Sequence, residues 1–256
     1  MVALVVAAAG WYPMAVFRDR ARRRWPLHRS FLWVTGVVAA AAAVVGPLAA
    51  WAHMDFVGHM LAHVLLGMAA PLLLVASRPV TLLLRSIDVV PARRLSRILR
   101  SGPISFFLHP VVAAVLSIGG LWLIYATPVF GQLHTNALLG VAVHVHVFVA
   151  GYLFTAAIVG RDPRPHRFGF GLKAAVLVGA IAAHDILAKF LYVAPPAGVS
   201  TAAAEAGAMV MYYAGDAVEI VLIVVLCREW YTASAPAVRK RNDQGQASSE
   251  LRGGRA

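Results

Sequence analysis

The sequence has little charge and almost no cysteine. Charged residues make up 13% of the 256 residues, whereas apolar residues reach 60% and the mean hydropathy is +0.74. A soluble domain is about one quarter charged, so this composition argues against a soluble enzyme or a disordered chain. The single cysteine, Cys227, excludes an intrachain disulfide and any site built from several thiolates. What remains is a polytopic membrane protein.

Two functional classes find no support in the sequence. It contains no nucleophile–base arrangement, phosphate-binding loop or nucleotide fingerprint, so we do not expect an enzyme. The formal charge of +12 is typical of nucleic-acid binders. We nevertheless expect no nucleic-acid partner, because the basic residues lie in short connectors between apolar segments, where positive charge sets membrane orientation.

The apolar residues form seven segments, which predict an all-α bundle of seven transmembrane helices. The first segment is short, but no basic region precedes it, so we interpret it as a span and not as a cleaved signal peptide. The segments cover residues 1–17, 31–52, 57–76, 104–127, 134–159, 169–193 and 205–231.

The basic residues predict the orientation of the bundle. All 23 of them except Lys189 follow the first, third, fifth and seventh segments or lie at their junctions, and the other connectors carry none. Because positive charge marks the cytoplasmic side, the amino terminus should lie outside and the carboxyl terminus in the cytoplasm. The predicted location is the bacterial plasma membrane, with the lipid bilayer as a partner.

Composition divides the chain into two regions. Residues 1–232 form the predicted transmembrane domain, and within it residues 78–100 alternate leucine and isoleucine with arginine, as an amphipathic helix at the interface does. Residues 233–256 are rich in serine, glycine, glutamine and charge, so we expect a disordered cytoplasmic tail.

Titratable residues inside four of the predicted spans fall in the outer half of the bilayer. At a rise of about 1.5 Å per residue, they lie within roughly 20 Å of the outer face. Such groups are costly in lipid and mark candidate functional sites. They are His59, His63, His144, His146, His184, Asp185, Lys189, Asp216 and Glu219.

The His59–Met–Leu–Ala–His63 sequence predicts a metal site. Spacing of four residues places both imidazoles on one helix face, as two ligands of one ion require. Met60 adds a thioether, and imidazole with thioether suits copper, especially Cu(I). The alternative is that the histidines are polar interface residues and the methionine is core filler.

The remaining polar residues leave alternatives open. His144 and His146 point to different faces, so at most one is expected to join His59 and His63. Asp185 either pairs with Lys189 one turn later or, like His184, serves as a ligand or proton relay. Asp216 and Glu219 share one helix face and could hold a cation, relay protons or pair with a basic group.

The third segment resembles a known family. His59-Met-Leu-Ala-His63, continuing through Pro71 to Arg78-Pro79, is similar to the signature of the CtaG-type cytochrome c oxidase assembly factors. The fifth segment resembles the same family in the run from His146 through Gly151-Tyr152 to Asp162-Pro163, and this match favours His146 over His144.

The resemblance implies a seven-span assembly factor for haem–copper oxidase, with oxidase subunits as partners and copper as its metal. Two other functions are considered beside it. One is a copper importer or proton-coupled transporter that uses the acidic residues, and the other is a membrane cytochrome with bis-histidine haem. The predicted metal ligands are His59, His63, His146, His184 and Met60.

Overall fold

The computed structural model describes residues 2–19, 24–133, 135–163 and 168–253, with side chains from Gly10 to Ser234 within these ranges. All regular secondary structure there is helical, as the composition predicts. We number the helices in chain order: α1 (Val2–Asp19), α2 (Leu27–Val44), α3 (Pro47–Met54), α4 (Phe56–Ala76), α5 (Pro79–Ser86), α6 (Val89–Leu99), α7 (Gly102–Phe107), α8 (Pro110–Tyr125), α9 (Val129–Gln132), α10 (Ala137–Val159), α11 (Phe170–Val193) and α12 (Thr201–Gly253).

Five helices are long and apolar enough to cross a membrane. They are α2, α4, α10, α11 and the Thr201–Ser234 part of α12, and α8 is a shorter apolar helix. Large apolar side chains on these helices face outward: Val38, Val178 and Val224 are 59%, 65% and 58% exposed. A soluble monomer rarely exposes so much apolar surface, whereas lipid would cover it.

Two predicted spans are shorter in the structure, and a proline explains each difference. The predicted segment 31–52 breaks at Gly46, whose φ of +88° is left-handed, and Pro47 then starts α3. The predicted segment 104–127 is interrupted after Phe107, because His109 before Pro110 is extended (φ −68°, ψ 127°) and α8 begins only at Pro110. A residue before proline is disfavoured in the helical region.

The start of α4 matches the sequence prediction closely. Asp55 caps the helix, since its carboxylate accepts hydrogen bonds from the backbone N–H groups of Val57 (2.8 Å) and Gly58 (3.2 Å). These are two of the donors that a helix start leaves without partners. The cap fixes where α4 begins and therefore sets the position of His59 and His63 one and two turns later.

Helix α4 lies in the middle of the bundle and packs against α2, α10 and α12. Its closest approach is to α10, where a Cβ atom on Gly151 would overlap the carbonyl oxygen of Gly67. Only glycine fits at Gly151, because small residues let two helices approach until their backbones touch. Helix α12 in turn packs along α11.

Polar contacts join the connectors at one end of the bundle, which we call the basic end. The Arg85 guanidinium lies 2.7 Å from the buried carboxylate of Asp19. Asp162 caps α5 by accepting hydrogen bonds from the N–H groups of Val80 (3.2 Å) and Thr81 (2.8 Å). Arg161 pairs with Glu229 of α12 at 2.6 Å. Side-chain contacts therefore fix three connectors relative to one another.

The predicted interfacial segment 78–100 forms two helices, α5 and α6, at the basic end. Leu82 of α5 is fully buried, whereas α6 buries no residue. The last helix continues to Gly253, so the backbone of residues 233–253 is helical where the composition predicts a disordered tail. The disordered tail stays a prediction. The domain division at residue 232 stays a prediction.

Replacing Gly151 with alanine should destabilise the bundle, because the added methyl group forces α4 and α10 apart. Overpacking of this kind costs about 1–3 kcal/mol. We expect a lower midpoint temperature for Gly151→Ala in thermal unfolding of the detergent-purified protein, followed by size-exclusion chromatography. Gly179→Ala is the matched control, since Gly179 faces open space on α11. Equal midpoints for the two variants would contradict the close crossing.

Candidate functional site

Opposite the basic end, a cavity of about 340 Å³ lies between α2, α3, α4, α8 and α10. We call it the vestibule. Four histidines line it, and their exposure falls along it: His53 is exposed, His59 and His144 are half-buried, and His63 is only 7% exposed. The vestibule therefore presents imidazoles at successive depths from the surface to the interior.

Hydrogen bonds orient two of the vestibule histidines. His59 Nε2 lies 2.9 Å from the hydroxyl oxygen of Tyr125, and its ring packs edge-on against Phe130. His144 donates from Nδ1 to the carbonyl oxygen of Gly140 at 2.6 Å. That bond places the proton on Nδ1 and leaves Nε2 as the nitrogen able to bind a metal.

A second, smaller cavity of about 30 Å³ lies deeper between α4, α8, α10, α11 and α12. We call it the inner cavity. His63 and Val147 line both cavities and so lie between the vestibule and the inner cavity. His184, Glu219 and the thioether of Met68 line the inner cavity as well.

Four titratable residues, the inner cluster, meet at this place: His63, His184, Asp185 and Glu219. The rings of His63 and His184 have centroids 6.4 Å apart, and His184 Nδ1 lies 3.3 Å from Glu219 Oε1. One ligand atom each from His184, Asp185 and Glu219 can be chosen so that all lie within 4.8 Å of one another.

Several buried atoms of the inner cluster have no hydrogen-bond partner among the described residues. They include His63 Nε2, both ring nitrogens of His184, Asp185 Oδ1 and Glu219 Oε2. Each such atom costs about 1–3 kcal/mol when it stays unpaired. Four of them belong to residues that line the inner cavity, namely His63, His184 and Glu219, and their convergence there indicates a polar or ionic occupant.

Local backbone features shape the inner cavity. Helices α4 and α8 each contain one π-turn, at Leu65–Ala69 and Val115–Gly119. Residues of both turns line the inner cavity, namely Gly67 and Met68 from one and Ser117 and Ile118 from the other. Such turns widen a helix by one residue and are frequent at functional sites.

Gly215 of α12 provides the space that the His184 ring occupies. A Cβ atom at Gly215 would lie 2.5 Å from His184 Cε1, too close for any side chain without a shift of the ring. The sequence contains the Gly215–Asp216 pair but gives no sign that its glycine faces a histidine on another helix.

The structure separates several of the predicted site residues from the inner cluster. Met60 is fully buried in an apolar core with Phe56 and Met211 and lines neither cavity. His146 also lines neither cavity, and its Nε2 lies 3.2 Å from the carbonyl oxygen of Leu116 on α8. The two-residue step between His144 and His146 turns them to different neighbours, so the vestibule receives His144 and not the expected His146.

The ion pair that was one expectation for Asp185 and Lys189 does not form. Lys189 lies over the ring of Tyr212, with its Nζ atom 5.3 Å from the centroid. The salt bridges between described residues include none from Lys189 to Asp185. Asp216 is partly buried one turn before Glu219 and lines neither cavity. Tyr125, which lines the vestibule, is not among the site residues predicted from the sequence, and nothing in the sequence signals its role.

Comparison with known proteins gives a consistent family result. The model of the cytochrome c oxidase caa3 assembly factor family (Caa3_CtaG) matches residues 10–233. Uncharacterized proteins of Mycobacterium leprae and Mycobacterium bovis are 30% and 32% identical over 187 residues, which is 70% of this chain. The chain spans only 28% of the length of these relatives.

No solved structure matches this chain. The family model extends from the described part of α1 to the end of the apolar part of α12, so it includes both cavities and every residue of the inner cluster. The chain belongs to the cytochrome c oxidase caa3 assembly factor family.

Proposed function

We propose that this protein is an integral membrane assembly factor that takes up copper at the vestibule and passes it to a subunit of the haem–copper oxidase. The observation that supports this function is the series of four vestibule histidines, which runs from exposed His53 to buried His63. A series of ligands at increasing depth suits a cargo that enters and leaves. A permanent cofactor would instead be enclosed by one fixed set of ligands.

The chemistry of the vestibule fits copper as cargo. Imidazole binds copper well, and Met54, which is 81% exposed next to His53, offers a thioether near the surface. His59 and His63 are one turn apart on the same helix, so one ion can be held by both or shift from one to the other. His144 reaches the same cavity from α10.

We further propose seven membrane crossings, with the vestibule on the outer side of the plasma membrane. Two observations support this topology. The polar contacts of Asp19, Arg85, Asp162 and Glu229 all lie at the basic end, where positive charge is expected to face the cytoplasm. The vestibule lies at the opposite end of the same helices, where copper supplied from outside would arrive.

The two other functions have less support. A transporter needs a series of polar groups beyond the inner cavity, whereas that side of the cavity is lined by Phe154, Leu177 and Leu222, with Thr155 as a polar side chain beside them. Bis-histidine haem would pair His63 with His144 or His146, but His146 lines neither cavity and contacts Leu116 instead. His144 shares the vestibule with His63, so a visible spectrum of the purified protein tests this alternative. Handover to a partner on the outer side therefore fits the geometry better than transport or haem binding.

Replacing both His59 and His63 with glutamine should abolish copper handling. We expect the purified double variant to bind Cu(I) at least about 10-fold more weakly. Mutating a residue that only hydrogen-bonds to a metal ligand already weakens metal binding by about this factor, and removing the ligand itself should weaken it at least as much. Competition with a Cu(I) chelator measures the affinity. In a deletion strain, the variant should fail to restore oxidase activity in membranes.

The matched control is His28→Gln, because His28 is exposed at the start of α2 outside both cavities. It should bind copper and restore the oxidase as wild type does. Copper binding by the double variant at wild-type strength would refute the vestibule as the copper site. Full oxidase activity without the protein would refute the assembly role.

The orientation can be tested with single cysteines in a Cys227→Ser background, which has no other thiol. Thr135→Cys lies before α10 at the vestibule end, and Asp88→Cys lies between α5 and α6 at the basic end; both positions are exposed. A membrane-impermeant maleimide should label Thr135→Cys in intact cells and Asp88→Cys only after permeabilisation. The reverse pattern would invert the proposed topology.

A further inference from the structure

The inner cluster is buried among apolar side chains yet lacks the partners that its groups require. His63, His184 and Glu219 are 7%, 0% and 5% exposed. Three different helices bring them together, and unpaired nitrogen and oxygen atoms of all three are buried in the described structure. Buried polar groups in proteins are nearly always paired, so the arrangement indicates a ligand that contacts all of them.

The charges of the inner cluster indicate that this ligand is a cation. Asp185 and Glu219 contribute carboxylates, and the only salt bridge that either makes with a described residue is the one between Glu219 and His184. The nearest lysine on the same helix, Lys189, is occupied over the Tyr212 ring. Negative charge within an apolar bundle is costly, and a bound cation would compensate it.

The distances fit one metal ion. Two ligands of a tetrahedral ion, each about 2.1 Å from the metal, lie about 3.4 Å apart. His184 Nδ1 and Glu219 Oε1 are 3.3 Å apart, and the wider set with Asp185 spans 4.8 Å, which a small side-chain shift would close. The inner cavity of about 30 Å³ has room for an ion with a water molecule.

We propose that the inner cluster is a second metal site, which binds one divalent transition-metal ion through His184, Asp185 and Glu219, with His63 as a further ligand. Imidazole with carboxylate suits Zn²⁺ or Cu²⁺, whereas Cu(I) prefers thioether and thiolate. Met68 lines the same cavity and offers a thioether, so Cu(I) is the competing occupant that the experiment must separate.

This site is different in chemistry from the vestibule, with which it shares His63. Among the described residues that line it, the vestibule supplies four imidazoles and no carboxylate, whereas the inner cluster adds two carboxylates from α11 and α12. The inference rests on the geometry of the inner cluster and does not require that the protein delivers copper to an oxidase. An ion at this place would join α4, α11 and α12.

Co²⁺ is the probe, because its visible absorption reports tetrahedral nitrogen and oxygen ligation. The full-length, metal-free protein in detergent is titrated with Co²⁺ and then with Zn²⁺. We expect one Co²⁺ per chain, displaced by Zn²⁺, and a higher thermal midpoint with Zn²⁺. Glu219→Gln, His184→Gln and Asp185→Asn should each weaken binding by more than about 10-fold and remove the thermal shift.

Two controls separate this site from its surroundings. Glu205→Gln removes the same charge from the same helix, at a position that lines neither cavity. His59→Gln changes the vestibule only. Both should retain the Co²⁺ spectrum. If Glu219→Gln or His184→Gln does not fold, as judged by size exclusion, half-buried Asp185→Asn carries the test.

Unchanged Co²⁺ and Zn²⁺ binding in Asp185→Asn and Glu219→Gln would overturn the proposal. So would a wild-type protein that binds Cu(I) at this cavity and neither divalent ion. Oxidase activity is measured in the same strains. If the inner-cluster variants lose the divalent ion but still assemble the oxidase normally, the metal site exists and has no role in assembly. If only His59→Gln fails in copper handling, the failure concerns the vestibule alone.

Discussion

The close crossing of α4 and α10 is the contact on which the site depends. Where Gly67 meets Gly151, the backbones touch, and no side chain separates the helices. This contact holds α4 in the middle of the bundle, so that His63 can reach both the vestibule and the inner cavity. A wider separation would move α4 away from α10 and alter the walls of both cavities at once.

The second determinant is local distortion of two helices. The π-turns of α4 and α8 both lie beside the inner cavity, and they direct Met68 and Ser117 into it. Gly215 makes the corresponding space on α12, where the His184 ring fits against the backbone. Polar side chains are thus held in a tight cavity inside an otherwise apolar bundle, which is the physical basis for the metal site that we propose there.

Much of the fold could be predicted from the sequence. The apolar segments gave the long helices α4, α10, α11 and α12 close to their observed starts, because hydrophobic length and caps such as Asp55 are local properties. Two predicted spans were too long. Hydropathy does not detect that the chain breaks at Gly46 or that Pro110 delays the start of α8. The residues that meet at the inner cluster were all identified as polar groups within spans.

The sequence by itself determined which residue types lie within the apolar segments, and its motifs identified the family. Only the tertiary structure decided which of those residues meet. Spacing along α10 could not show that His144 faces the vestibule while His146 turns to Leu116, because this depends on which helix packs on each side. In the same way, Met60 packs in the apolar core and the Lys189 ammonium lies over the Tyr212 ring. The rotation of each helix about its axis is set by packing against its neighbours and not by local sequence.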